Sequence, residues 1–151
     1  VITYFLGIDP GNSGGLACVH ADGHLCLASP MPDTERDIYD WIDQWPQCET
    51  RAVLEAVHAF PGQGVTSMFT FGQSYGSLRM ALVASGIPWD TVSPQKWQEV
   101  FGLKTPKAAK LTQTQKKNAN KAKAQQLFPG VRIIHATADA LLLAEYARRN
   151  Q

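Results

Sequence analysis

The stretch GGLACVHADGHLCLASPMP limits the fold more than any other part of this chain. Two strand-like runs flank Asp22-Gly23, a pair that favours the tight turn of a β-hairpin because glycine takes positive φ at no steric cost. The run before it, ITYFLGIDPG, reads as a strand that ends at Asp9 in a Pro-Gly turn. Three successive strands joined by short turns commit this part of the chain to antiparallel pairing.

Beyond the hairpin, strands alternate with helices. Asp33 or Thr34 can cap a helix running to about Trp45, with Ile38, Trp41, Ile42 and Trp45 at helical spacing. RAVLEAVHA is short and almost uniformly apolar, the pattern of a buried strand, with Glu55 in its middle. Thr66 to Ser85 reads as a long helix despite Gly72 and Gly76, and IPWDTVS as another buried strand. SPQKWQEVFG has a serine cap, a proline in the first turn and a closing glycine. LKTPKAAKLTQTQ reads as a polar, mobile loop. A helix over about Gln115 to Leu127 is halted by Pro129-Gly130. VRIIH then reads as a sixth, short strand, and Thr137 to Arg149 as a final helix with Asp139 at the start of its apolar stretch. The expected class is α/β, a mixed sheet with helices on its faces, in a single domain spanning residues 1–151.

Composition narrows the function classes. The chain is 44% hydrophobic and 18% charged, ordinary for a soluble globular protein. No run approaches the roughly 20 apolar residues that span a bilayer, and the N-terminus lacks the basic opening of a signal peptide. A cytoplasmic protein with no membrane partner is therefore expected. Cys18, Cys26 and Cys48 lack CxxC spacing, which favours reduced thiols over a cysteine-based zinc site. Charge is uneven: Lys96 to Arg132 holds nine basic residues against Glu99 alone, while residues 1–95 hold three arginines against ten acids. That layout suits an enzyme that binds a polyanion and holds metal ions with carboxylates, although a lysine run by itself is more often a solvated face.

Three acids sit in odd places. Asp9 follows YFLGI, Glu55 interrupts AVLEAV and Asp139 precedes ALLLAEYA. A lone charge is costly to bury in any of these settings. Each has a bland explanation: a turn cap for Asp9, a buried arginine partner for Glu55, a helix-start residue in Asp139. Together they could converge on one or two divalent cations, and hard Mg²⁺ or Mn²⁺ prefers such oxygen ligands.

GIDPGNSG on the first strand, VLEAVHAFPGQGVTSMFTFGQSYG, VSPQKWQ and the closing HATADALLLAEYA resemble, in this order and over nearly the whole chain, the RuvC-type Holliday junction resolvases, particularly their phage members. GIDPG alone is shared with actin-like ATPases, but those need a second domain and an adenine-side glycine motif, for which 151 residues leave no room. The resemblance implies an RNase H-like mixed five-stranded sheet flanked by helices, a homodimer, and paired symmetric nicking of four-way DNA junctions. It implies Mg²⁺, with Mn²⁺ as a substitute, and two ions per site held by Asp9, Glu55 and Asp139. One ion would prepare the attacking water and the other stabilise the leaving 3′ oxygen, leaving 5′-phosphate ends.

The family pattern usually carries a fourth ligand one helical turn before the Asp139 position, where relatives read HDGxAD or space two acids three apart. This chain reads HATAD. His135 could be the fourth group, as ligand or proton shuttle. Alternatively Ala136 replaces an aspartate and the site is incomplete, or His135 merely ends a strand nearby. An incomplete site would make the chain a junction-binding module rather than a nuclease.

The same resemblance implies a basic phosphate contact at Lys121, with Lys117, Lys123 and Lys96 as further candidates; any one lysine is more often plain surface. It also implies probing side chains in HAFPGQG, where His58 and Phe60 could stack on unpaired bases, or Phe60 could pack beneath the next helix. Phe69, Gly72, Gln73, Gly76 and Met80 share one helical face and are the candidates for two-fold pairing.

Overall fold

The structure is a computed structural model and describes residues 1–150. Its sheet has five strands: β1 (Tyr4–Asp9), β2 (Gly15–His20), β3 (Leu25–Pro30), β4 (Thr50–Glu55) and β5 (Trp89–Val92). Their order across the sheet is β3-β2-β1-β4-β5. The first three pair antiparallel, whereas β1–β4 and β4–β5 are parallel. Asp22-Gly23 forms the β2–β3 turn, with Gly23 at φ 96°.

Period-two alternation sorts the strand residues between two cores. Leu6, Ile8, Leu16, Cys18, Ala52 and Leu54 face one side. They are covered there by α1 (Glu35–Asp43) and the second half of α2 (Val65–Ser85). Phe5, Ala17, Val19 and Val53 face the other side, beneath α3 (Pro94–Val100), α4 (Gln113–Leu127) and α5 (His135–Arg149). Thr34 caps α1, accepting the Asp37 N–H at 3.1 Å. Ser93 caps α3, and Thr112 with Gln115 forms a reciprocal capping box on α4.

α5 is the central helix, and residues 140–147 are buried all round. It lies so close to the sheet that a Cβ on Gly7 would meet the Ala140 carbonyl oxygen at 2.1 Å, and one on Gly15 the Ala136 carbonyl oxygen at 2.2 Å. Two glycines in adjacent strands therefore set the approach of the helix. Burying each of Leu141, Leu142 and Leu143 contributes about 2 kcal/mol.

Several expected elements differ. VRIIH is not a strand: Ile133 drops into the α5-side core and Ile134 is already the extended residue ahead of the helix. The Val131 carbonyl is satisfied by the Gln125 amide at 2.8 Å rather than by a neighbouring strand. α5 starts at His135, not Thr137, so Asp139 lies in its second turn; Thr137 is buried, its hydroxyl turned back to the Ile134 carbonyl. Glu55 ends β4 instead of standing in its middle. β5 is an edge strand with Asp90 and Thr91 exposed, not a buried one.

Candidate functional site

The parallel β1–β4 register pairs Ile8 with Leu54, so Asp9 and Glu55 follow side by side at the C-terminal ends of neighbouring strands. By strand alternation both point to the α5 side, where Phe5 and Val53 point two and one pleats earlier. The glycine-mediated approach of α5 brings its second turn over these ends, which delivers Asp139 to them. A cavity of about 270 Å³ is lined by Asp9, Ser13, Lys117, His135, Ala136 and Asp139. Glu55 joins the group from beside it, its charge felt by Asp9; the three carboxylates do not all lie within 4.8 Å of one another, so a shared ion would have to draw them together.

All three acids are half-buried and their carboxyls are held above the usual range. Asp9 is raised well above it, first by burial and then by the charges of Asp139 and Glu55, with Lys117 opposing. Burial pushes Glu55 up to about 7; the Trp97 indole opposes this and Asp139 adds to it. Burial also raises Asp139, against the Asn120 amide, Lys117 and His135. Two of these acids are fixed by neutral donors: Trp97 Nε1–H donates to Glu55 Oε2 at 2.6 Å, and Asn120 Nδ2 donates to Asp139 Oδ1 at 3.0 Å.

Glu145 provides the contrast within the same helix. It is buried too, yet Arg148 and Arg149 donate to it at 2.8 and 2.7 Å. Burial works against its charge, but these bonds win and hold its carboxyl low. A structural buried acid in this protein thus has its cations built in. Asp9, Glu55 and Asp139 have no arginine and only Lys117 beside them, too little to balance three carboxylates, and a cation from outside would neutralise the rest. Their donors are all oxygen, which fits a hard divalent ion such as Mg²⁺ or Mn²⁺.

The remaining sequence candidates are distributed unevenly. His135 is the first residue of α5 and lies four residues before Asp139 on the same face, with Ala136 between them on the cavity wall. Lys117, rather than Lys121, reaches the acids; Lys121 and Lys123 are half-buried on α4. Lys96 lies in a separate depression with Arg51, Asp90 and Tyr146. His58 and Phe60 line a groove of about 390 Å³ with Phe71 and Pro94, and Phe60 is 64% exposed. Phe69, Gly72, Gln73, Gly76 and Met80 all face solvent along α2.

Trp97 and Asn120 are absent from the sequence candidates. Trp97 reads there only as an apolar helix residue, and Asn120 is hidden among lysines and glutamines. The one available signal is the spacing of Lys117, Asn120, Lys121 and Ala124, which puts Asn120 on the face of α4 that turns inward.

No protein-family model and no curated protein sequence matches the chain. Among solved structures, the Thermus thermophilus RuvC structure matches with TM-score 0.65 and 16% identity over 93% of this chain and 90% of that one. T. thermophilus RuvC in complex with Holliday junction substrate matches with TM-score 0.66 and 18% identity, covering 98% of this chain and 96% of that one. The chain has the fold of RuvC, from the antiparallel β1–β3 meander to the helix that carries Asp139.

Proposed function

We propose that this protein is a divalent-metal-dependent endonuclease of the RuvC type that nicks four-way DNA junctions, of the kind its motifs share with phage resolvases. The observation that carries the proposal is the contrast between the acids: Glu145 has two arginines, whereas Asp9, Glu55 and Asp139 share one end of the sheet with raised pKa values. The likeness to a RuvC described in complex with Holliday junction substrate supports the choice of DNA structure.

Mg²⁺ or Mn²⁺ bound by Asp9, Glu55 and Asp139 would activate water and stabilise the leaving oxygen of a phosphodiester. The chain's own residues prepare for this. Trp97 fixes the Glu55 carboxylate and Asn120 that of Asp139, so neither acid has to reorganise when substrate arrives. Lys117 offers its ammonium to a phosphate at the cavity wall. His135, at the rim of the same cavity, is placed to ligate or to carry a proton. Lys121 and Lys123 extend the basic face along α4, and the His58–Phe60 groove offers an apolar surface to unpaired bases.

A second copy is the proposed partner for α2. A Cβ at Gly72 or Gly76 would meet nothing within 4 Å, so no contact inside the chain demands glycine there. Small residues one turn apart, flanked by exposed Phe69 and Met80, let two helices approach closely and set two active sites in two-fold relation. Sedimentation equilibrium of the chain and of Gly76→Arg tests this: a dimer for the former and a monomer for the latter are expected.

Ala136 favours a second reading. It stands on the cavity wall one turn before Asp139, where an acid would reach the same site, and it contributes only a methyl group. A site lacking that acid could bind junctions without cutting them. A labelled four-way junction and a linear duplex of the same sequence, incubated with Mg²⁺ or with chelator, separate the readings when the chain and Ala136→Asp are run side by side. Metal-dependent nicks on the junction alone support the nuclease. Junction binding by the chain without nicks, with nicks from Ala136→Asp alone or from neither protein, supports the binding module, and equal cutting of the duplex contradicts junction selectivity.

A further inference from the structure

The β2–β3 turn gathers a second set of donors far from the acids. His20 ends β2, Asp22 is in the turn and His24 follows it. One donor atom from each of the three residues lies within 4.8 Å of the others, and they are the only such triad of histidine, cysteine or acid residues among the described residues. Asp22 Oδ1 stands 3.0 Å from His20 Nδ1 and 2.5 Å from His24 Nδ1. The two imidazoles stack at 4.6 Å with 20° between their planes, so both present the same ring edge to one carboxylate oxygen.

The backbone holds this arrangement. His20 N–H donates to the His24 carbonyl at 2.9 Å, Gly23 N–H to the His20 carbonyl at 2.8 Å, and His24 N–H to Asp22 Oδ1 at 3.1 Å. Tyr4 packs its ring edge-on against His20 at 5.8 Å. Gly23, at φ 96°, lets the chain reverse tightly enough to stack residues 20 and 24. Arg148 approaches from α5 and donates to the Ala21 carbonyl; Glu145 binds its guanidinium, and the Asp22 charge acts on it as well.

We infer that His20, Asp22 and His24 form a binding site for a borderline first-row divalent cation of the Zn²⁺ class, separate from the carboxylate site. Two imidazole nitrogens and one carboxylate oxygen suit such an ion, and suit Mg²⁺ poorly. Ligand atoms around a tetrahedral zinc ion lie about 3.3 Å apart, and the ion lies in the plane of each imidazole, so binding would turn the two rings out of their stack until both Nδ1 lone pairs point at it. His20 Nδ1 accepts the Asp22 backbone N–H at 3.2 Å, a bond the ion would displace; at His24 the ion would take the place of a ring proton facing Asp22, the neutral imidazole keeping its proton on the outer nitrogen. Cys26 Sγ lies 3.9 Å from His24 Nε2, on the outer side of that ring, and is not among the ligands. The fourth position opens to solvent, because the His24 and Asp22 side chains are each 60% exposed. Register places the turn at the opposite end of β2 from the strand end that faces Asp9, roughly 16 Å away at about 3.3 Å per residue. Its occupancy would clamp the hairpin without entering the nuclease site.

The test is calorimetric titration of the full chain with ZnCl₂ in excess Mg²⁺, alongside His24→Ala, Asp22→Asn and Glu55→Gln, each checked for native circular dichroism. One equivalent bound by the chain and by Glu55→Gln alike is expected, weakened about 10-fold or more in His24→Ala and Asp22→Asn. Co²⁺ in place of zinc should give intense visible bands without a thiolate charge-transfer band. Undetectable zinc binding, binding unchanged in His24→Ala, or binding lost in Glu55→Gln would each overturn the inference. Nicking by His24→Ala in Mg²⁺ is expected to equal that of the unaltered chain, and this arm reads the junction activity independently of the zinc site.

Discussion

Gly7 of β1 lies directly beneath Ala140 of α5: a Cβ on the glycine would sit 2.1 Å from the Ala140 carbonyl oxygen and 2.2 Å from the Ala144 nitrogen. Both obstacles are backbone, so neither can rotate away. This contact fixes the height of α5 above the sheet one residue from Asp139 and two from Asp9. The close approach that stabilises the core is thus also the one that assembles the carboxylates.

Gly7→Ala should push the helix off the strand. Overpacking against backbone should cost about 3 kcal/mol or more. The expected outcome is a lower urea midpoint at unchanged m-value, together with weaker Mg²⁺ binding as Asp139 moves from Asp9. A Gly7→Ala protein with unaltered stability would show that α5 is free to shift.

The crowded acids should make the metal-free protein less stable as pH rises. Burial raises the Glu55 carboxyl from its ordinary 4.5 to about 7, so the folded protein holds a proton that the unfolded chain has already released between those values. Stability supplied by that proton is fully present below about pH 4.5 and is lost as pH climbs through about 7, an effect on the order of 3 kcal/mol. Asp9 and Asp139 shift in the same direction. Melting in chelator should therefore fall from pH 5 to pH 8, and added Mg²⁺ should raise the melting temperature far more at pH 8. Equal Mg²⁺ stabilisation at both pH values would argue against these acids as the metal site.

Trp97→Phe keeps a ring in the core but deletes the N–H that holds Glu55 Oε2. Without that donor the Glu55 carboxyl should rise further, moving the acidic limb of the pH–rate profile to higher pH and lowering activity about 10-fold. A uniform loss of rate with an unmoved profile would point to simple loss of packing.

Much of this architecture is legible in the chain because it is local. Asp22-Gly23, the Ser93-Pro94 cap and the apolar spacing of α1 each carry their own physical cause within a few residues. VRIIH misleads because β-branched residues favour extended backbone, whereas joining a sheet also needs a free partner edge, and the Val131 carbonyl finds the Gln125 side chain instead. Thr137 imitates a helix cap, but its hydroxyl bonds inside a helix that has already begun. Asp9, Glu55 and Asp139 stand out in sequence as charges in apolar runs. Their supports do not, because Trp97 lies 42 residues from Glu55 and Asn120 lies 19 from Asp139. Only the folded register of β4, α3 and α4 brings them together.

The most direct test of the central claim compares the chain with Glu55→Gln on a branch-migratable four-way junction in Mg²⁺, reading nicked strands and their end groups alongside junction binding. Paired, symmetric nicks with 5′-phosphate ends from the chain are expected, and no nicks but undiminished binding from Glu55→Gln. Nicking that survives in Glu55→Gln would contradict the assignment of the three carboxylates as the catalytic metal site.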